Sequence, residues 1–174
     1  MLNLIAGLTT ADSGKVFVAE ERLDLLDEQK RTLFRRRKIG FVFQFFHLVP
    51  TLTVEENLRL PLQLNGMESP NELARLGELL ERVGLSSKAG QLPDRLSGGE
   101  QQRVAVCRAV LHRPPVILAD EPTGNLDGGS ADSVLELLFE FAQSGKSTLI
   151  VVTHSEAVAS ACDRVQRVVD GALI

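Results

Sequence analysis

The chain has 174 residues, enough for one domain with a sizeable core. Its 19 Lys and Arg against 23 Asp and Glu leave a formal net charge of −4, with pI ≈ 5.4, which argues against a bare nucleic-acid binder. A hydrophobic share of 44% with 24% charged residues excludes a disordered chain.

Met1–Leu8 carries apolar residues at 2, 4, 5 and 8 and reads as the last turns of a helix. Lys15–Glu20 alternates and predicts a strand. Asp27–Arg37 predicts a charged helix, and Ile39–Gln44 a buried strand ending in a polar residue. Thr53-Val54-Glu55-Glu56 is a capping box, so a helix begins after Thr53. Ser69-Pro70-Asn71 opens another, with Leu73, Leu76, Leu80 and Val83 at helical spacing and Gly84 closing it. Ser97-Gly98-Gly99-Glu100 is a second capping box, opening a helix to about His112. Residues 51–112 therefore read as a mostly helical subdomain. After Pro114-Pro115 the pattern is α/β: strand Val116–Ala119, a turn at Gly128-Gly129-Ser130, helix Asp132–Gln143, strand Thr148–Val152, short helix Glu156–Ala161, strand Val165–Val169. Strands alternating with helices imply a parallel sheet covered on both faces.

Cys107 and Cys162 lie far apart without a C-x-x-C, so neither a disulfide framework nor a zinc site is expected, and a reducing, cytosolic compartment is. The most apolar runs are strand-sized, and the N-terminus has no basic start, so neither a membrane span nor a signal peptide is expected. Any spanning must be done by another chain.

Two stretches carry chemistry. Strand Val116–Ala119 ends in Asp120-Glu121, placing two carboxylates at the carboxyl end of a buried strand, the edge at which open α/β sheets bind ligands. The first can hold Mg²⁺ through water; the second can orient or deprotonate a water. An Asp that merely caps the next turn explains the pair equally well. Leu96–Arg103 (LSGGEQQR) is more specific: a serine cap followed by glycines leaves helix N-terminal N–H groups open to an anion.

LSGGEQQR followed by VILADEPTGNLD resembles the signature motif, Walker B strand and D-loop of an ABC-type ATPase. IGFVFQ resembles the Q-loop strand, with Gln44 as its glutamine, and IVVTH the H-loop strand, with His154 as the switch histidine. FHLVPTLTVEENL and DEPTGNLD are similar to the branch that serves lipoprotein release, macrolide-type export and the cell-division exporter. The resemblance covers essentially the whole chain. It implies a P-loop NTPase-like parallel-sheet core (1–50 and 113–174) with a helical signature subdomain (51–112), in one nucleotide-binding domain. It implies ATP and Mg²⁺ as ligands: Asp120 in the Mg²⁺ shell, Glu121 as general base, Gln44 sensing Mg²⁺ and γ-phosphate, His154 on the γ-phosphate. Ser97, Gly98, Gly99 and Glu100 would cap a nucleotide held by the opposite subunit, and Asp127 would cross the dimer interface. It further implies transmembrane permease partners, a homodimer or a paralogous ATPase subunit, and a peripheral position on the inner face of the cell membrane; no nucleic acid is expected.

The family's phosphate loop, G-x-x-G-x-G-K-[ST]-[ST], does not occur in the 174 residues. In relatives it is followed directly by a helix resembling LLNLIAGL, with Met1 in the position of its first leucine or methionine, so the loop, its lysine, the preceding core strand and the adenine-stacking aromatic are expected upstream of Met1. Two readings stay open: an N-terminal truncation or start at an internal methionine, or a chain without the loop, a non-catalytic partner that offers its signature turn to another subunit's nucleotide. Ser144-Gly145-Lys146-Ser147-Thr148 mimics the end of such a loop, but it joins a helix to a strand and reads as a C-cap at Gly145. Arg35–Lys38 reads as a solvated helix end, His47 and His112 as surface or packing residues, and Cys107 as a small core residue. An ABC-type ATPase for DNA repair or translation is disfavoured by the lack of a coiled-coil insert, cysteine cluster or tandem copy.

Overall fold

The computed structural model describes residues 1–174. A short helix α1 (Leu2–Ile5) turns at Gly7, whose φ of 66° is left-handed. Strands β1 (Phe17–Val18) and β2 (Glu21–Arg22) follow, then helix α2 (Glu28–Lys38), capped by Asp27, whose carboxylate accepts from Lys30 N. α2 runs straight into strand β3 (Ile39–Phe43). Helices α3 (Val54–Asn65), α4 (Pro70–Arg82) and α5 (Gly98–Val110) come next. Strand β4 (Val116–Asp120), helix α6 (Gly128–Ser144), strand β5 (Thr148–Val152), helix α7 (Glu156–Ser160) and the small strands β6 (Val168–Val169) and β7 (Ala172–Leu173) complete the chain.

The central sheet is parallel in the order β3-β4-β5. Its register aligns Phe43 with Asp120 and Asp120 with Val152. The next residue of each strand, Gln44, Glu121 and Thr153, is therefore delivered to one edge. The faces of β4 divide by alternation: Ile117 and Ala119 join a cluster of 23 buried residues with α3–α6, whereas Val116 and Leu118 join a cluster of six with Ala6, Leu23, Phe34 and Ile39. The larger cluster seats α5 against β3. Gly40 permits that approach, since a Cβ there would lie 2.3 Å from Ala109 O.

Three local expectations give way. Lys15–Glu20 is not one strand, because Ala19 (φ 48°) and Glu20 (φ 68°) take left-handed conformations and reverse the chain into the β1–β2 hairpin. Gly128-Gly129-Ser130 is not a separate turn but the first turn of α6, since the Asp127 carboxylate accepts from Ser130 N and caps the helix there. Val165–Val169 shortens to β6, which pairs antiparallel with β7 outside the central sheet; Asp170 (φ 49°) and Gly171 (φ 80°) make the Asp-Gly turn. Gly145 does cap α6, and the left-handed residue after it is Lys146 (φ 54°).

Candidate functional site

The carboxyl edge of the sheet gathers Gln44, Asp120, Glu121, Thr153 and His154. Asp120 ends β4, is exposed, and enters no side-chain hydrogen bond or ion pair. Glu121 takes a left-handed φ of 43°, and its N–H donates to Val152 O across the sheet. That backbone turns its carboxylate toward β5, where Oε2 accepts from the Thr153 hydroxyl (3.1 Å) and Oε1 from His154 N (2.7 Å). The Glu121 side chain is 20% exposed, while the His154 ring is 99% exposed with Nε2 3.6 Å from Glu121 Oε1. A non-glycine residue held left-handed beside a ligand edge is characteristic of functional sites.

Gln44 is joined to the loop after Glu121. Asn125 Nδ2 donates to Gln44 O (3.0 Å), and Gln44 Nε2 donates to Asn125 Oδ1 (3.4 Å). Gly124 leaves the room for this, because a Cβ there would come within 2.9 Å of Gln44 Nε2.

The Ser97 turn forms separately, at the N-terminus of α5. Ser97 Oγ accepts from Glu100 N (3.3 Å), and Ser97 N donates to Glu100 Oε2 (3.0 Å). Glu100 Oε1 takes the Lys88 ammonium at 2.6 Å, and that contact, with the Ser97 amide, holds its carboxyl below the usual range. Asp127 caps α6 with Oδ1 on Ser130 N (3.0 Å) and Oδ2 on Ser130 Oγ (2.9 Å); the Ser130 amide bond is the main cause of its lowered pKa. The two helix starts meet at Gly99, where a Cβ would lie 2.8 Å from Ser130 Oγ. The structure thus brings Gln44, Asp120, Glu121 and His154 to one edge, and the Ser97–Glu100 turn and Asp127 to two adjoining helix starts. No hydrogen bond links Ser97, Gly98 or Gly99 to the carboxylates of the edge.

Several residues that hold this arrangement went unread in the sequence. Buried Gln102 donates through Nε2 to the carbonyls of Phe43 (3.1 Å) and Pro122 (2.5 Å), tying α5 to the ends of both β3 and β4. Buried Asn57 donates to the carbonyls of Val49, Leu52 and Thr53 and accepts from Val49 N, fixing the loop that enters α3. Thr153 positions Glu121. The available signal for the first two was a polar residue on an otherwise apolar helix face.

A parallel sheet whose Asp-Glu strand end, glutamine and histidine share one edge, beside a glycine-rich helix start, defines a nucleotide-hydrolysing cassette of the P-loop fold. The chain belongs to the ABC transporter family, whose profile matches residues 1–124. It is 42% identical over 174 residues to the lipoprotein-releasing system ATP-binding protein LolD of Pseudomonas syringae pv. tomato, covering 100% of this chain and 77% of that protein. It is 45% identical over 173 residues to the uncharacterised ABC transporter ATP-binding protein YbbA of Escherichia coli, covering 99% and 76%. A further uncharacterised ABC transporter ATP-binding protein, from Mycobacterium tuberculosis, is 46% identical over 174 residues, 100% of this chain and 70% of its own length. Among solved structures, the ATP-binding cassette MJ0796, dimeric in a post-hydrolysis state with ADP and Pi, superposes with a TM-score of 0.79 at 41% identity over 91% of this chain and 70% of that one. The protein is therefore an ABC-type ATPase subunit of a transporter. No helix in it is long and apolar enough to cross a membrane, and the similar cassette MJ0796 is dimeric in its solved structures.

Proposed function

We propose that the chain powers a transporter of the lipoprotein-release or macrolide-export branch by hydrolysing ATP with Mg²⁺, as one cassette of a homodimer or of a pair with a paralogue, on the inner face of the membrane. The observation that carries hydrolysis is the Glu121 carboxylate, held at the sheet edge by Thr153 and His154 beside an unpaired Asp120; the branch is supported by the 42% identity to LolD over the whole chain. No group of three acidic, His or Cys residues could hold a metal alone. The donor set suits a hard cation that takes most of its oxygens from phosphate and water, with Asp120 and the Gln44 amide oxygen supplied by the protein. Bound Mg²⁺ would neutralise charge on the phosphates.

Apart from the phosphate loop and its lysine, which are not among these 174 residues, the chain's own residues would do the rest. Each Glu121 oxygen already accepts one protein hydrogen bond and keeps a lone pair, so the carboxylate can orient a water and take its proton without swinging. The solvent-facing His154 ring can reach a γ-phosphate while its backbone holds Glu121. Ser97, Gly98 and Gly99 would present a hydroxyl and helix N-terminal amides to a nucleotide on the opposite cassette, their turn braced by Glu100 and Lys88. Asp127 would lie along that interface.

The test uses the complex purified from its host with its bound subunits. ATP should drive lipoprotein release or macrolide efflux, and Asp120→Asn should abolish both transport and turnover. Movement of neither cargo contradicts the branch; turnover untouched by Asp120→Asn contradicts the site.

A further inference from the structure

Gln44 is bracketed by α5. Upstream, Gln102 Nε2 donates to Phe43 O, the carbonyl of the peptide leading into Gln44. Downstream, Arg108 spreads its guanidinium over two carbonyls: Nη1 donates to His47 O (2.8 Å) and Nη2 to Phe46 O (3.1 Å). Those two residues are both left-handed, Phe46 at φ 60° and His47 at φ 48°. Neither is glycine, so the conformation needs an external hold. The turn also folds back on its own strand, with the His47 ring 4.6 Å from that of Phe43. Between the two clamps, Phe45 is turned outward, 68% exposed.

Arg108 is an unusual residue for this duty. It is half-buried, forms no ion pair with any carboxylate, and burial pushes its pKa down. A cation taken partly out of water is unfavourable unless other groups replace the lost hydration. Here the two left-handed carbonyls do so. The same helix that carries Arg108 begins with the Ser97–Gly99 turn, so α5 connects that turn to the loop after β3 through rigid backbone.

We propose that Arg108 is a positioning residue for Gln44: it fixes the left-handed Phe46–His47 turn and so holds Gln44 and Phe45 at a set distance from the Ser97–Gly99 turn. This deepens, and rests on, the reading of Gln44 as a nucleotide-sensing residue.

The test compares Arg108→Gln and Arg108→Lys, each alone and with Gln44→Ala, in the purified complex. Arg108→Gln should lower kcat for ATP by about tenfold while KM moves less than about twofold, as expected when positioning rather than binding is lost. Arg108→Lys should regain only part, since an ammonium cannot straddle two carbonyls as a guanidinium fork does. In the Gln44→Ala background Arg108→Gln should cost less than about twofold, because the two residues act through one another. A full loss in both backgrounds overturns the proposal. If Gln44→Ala leaves turnover unchanged, the reading of Gln44 fails instead, and amide exchange decides on Arg108. Exchange at residues 45–48 should rise at least about tenfold in either Arg108 variant while α5 stays protected. Unchanged exchange there overturns the proposal.

Discussion

The backbone amide of His154 donates to Glu121 Oε1 at 2.7 Å, so the segment that follows β5 holds the side chain of the residue that follows β4. One residue thereby does two things: its peptide fixes a carboxylate, and its ring stays in solvent, able to meet a ligand. The parallel register makes this possible. Pairing Asp120 with Val152 places Glu121 level with Thr153, and the left-handed φ of Glu121 turns its side chain across to β5.

Thr153 should matter as a holder of Glu121. Thr153→Val keeps the shape and removes the hydroxyl that donates to Oε2. Turnover should fall about tenfold, the scale of one hydrogen bond to a charged group, with KM nearly unchanged. Steady-state kinetics on the purified complex checks it; wild-type turnover contradicts the positioning of Glu121 by Thr153.

Two glycines should respond in opposite senses. A Cβ at Gly40 would lie 2.3 Å from Ala109 O and 3.0 Å from Pro114 Cγ, with rigid backbone on the near side. Gly40→Ala should destabilise by about 3 kcal/mol, the upper range for overpacking. Gly77 lies in α4 with nothing within 4 Å of the added carbon, and Gly77→Ala should stabilise by about 0.5–1 kcal/mol through helix propensity. Urea unfolding of both variants reads the difference directly.

The thiols should differ in reactivity. Burial pushes Cys107 up to about 12, whereas Cys162 is half-buried and raised less far, by burial and by the nearby Asp163 charge. In the native protein a thiol reagent at pH 8 should modify Cys162 and spare Cys107; in denaturant both should react. Equal native rates would contradict the packing of α5 against α4 that covers Cys107.

His112 should give the fold a pH dependence. Burial lowers its pKa, against a weaker opposing pull from the Ile39 backbone. The unfolded chain therefore binds more protons than the native one once pH drops below the ordinary imidazole range, about 6.5. Stability should be full above that point and fall as pH decreases from it. His112→Leu should flatten the slope between about pH 5 and pH 6.5, measured as urea midpoints across that window.

The order of helices and strands was legible because apolar period and caps are local. Thr53 with Glu56 and Ser97 with Glu100 announce their helices within four residues, and both boxes close in the structure. The Asp120-Glu121 strand end was legible for the same reason. What escaped depends on contacts between distant segments or on backbone sign. Gln102 reaches Phe43 across 59 positions and Arg108 reaches Phe46 across 62, so no spacing rule reports them. The β1–β2 reversal hangs on left-handed Ala19 and Glu20, residue types that favour no such turn. The Asp170-Gly171 hairpin could have been found, since that dipeptide is a turn signal.

Single-turnover ATP cleavage by the purified complex carrying Glu121→Gln bears most directly on the role given to the sheet edge. The amide keeps the size of the side chain and loses the ability to take a proton from water. Nucleotide should still bind, with its affinity within about threefold of wild type, while the cleavage rate falls by at least about a hundredfold, the scale of a lost general base. Cleavage at the wild-type rate would mean that Glu121 is not the group that activates water, and the site would have to be sought elsewhere in the fold.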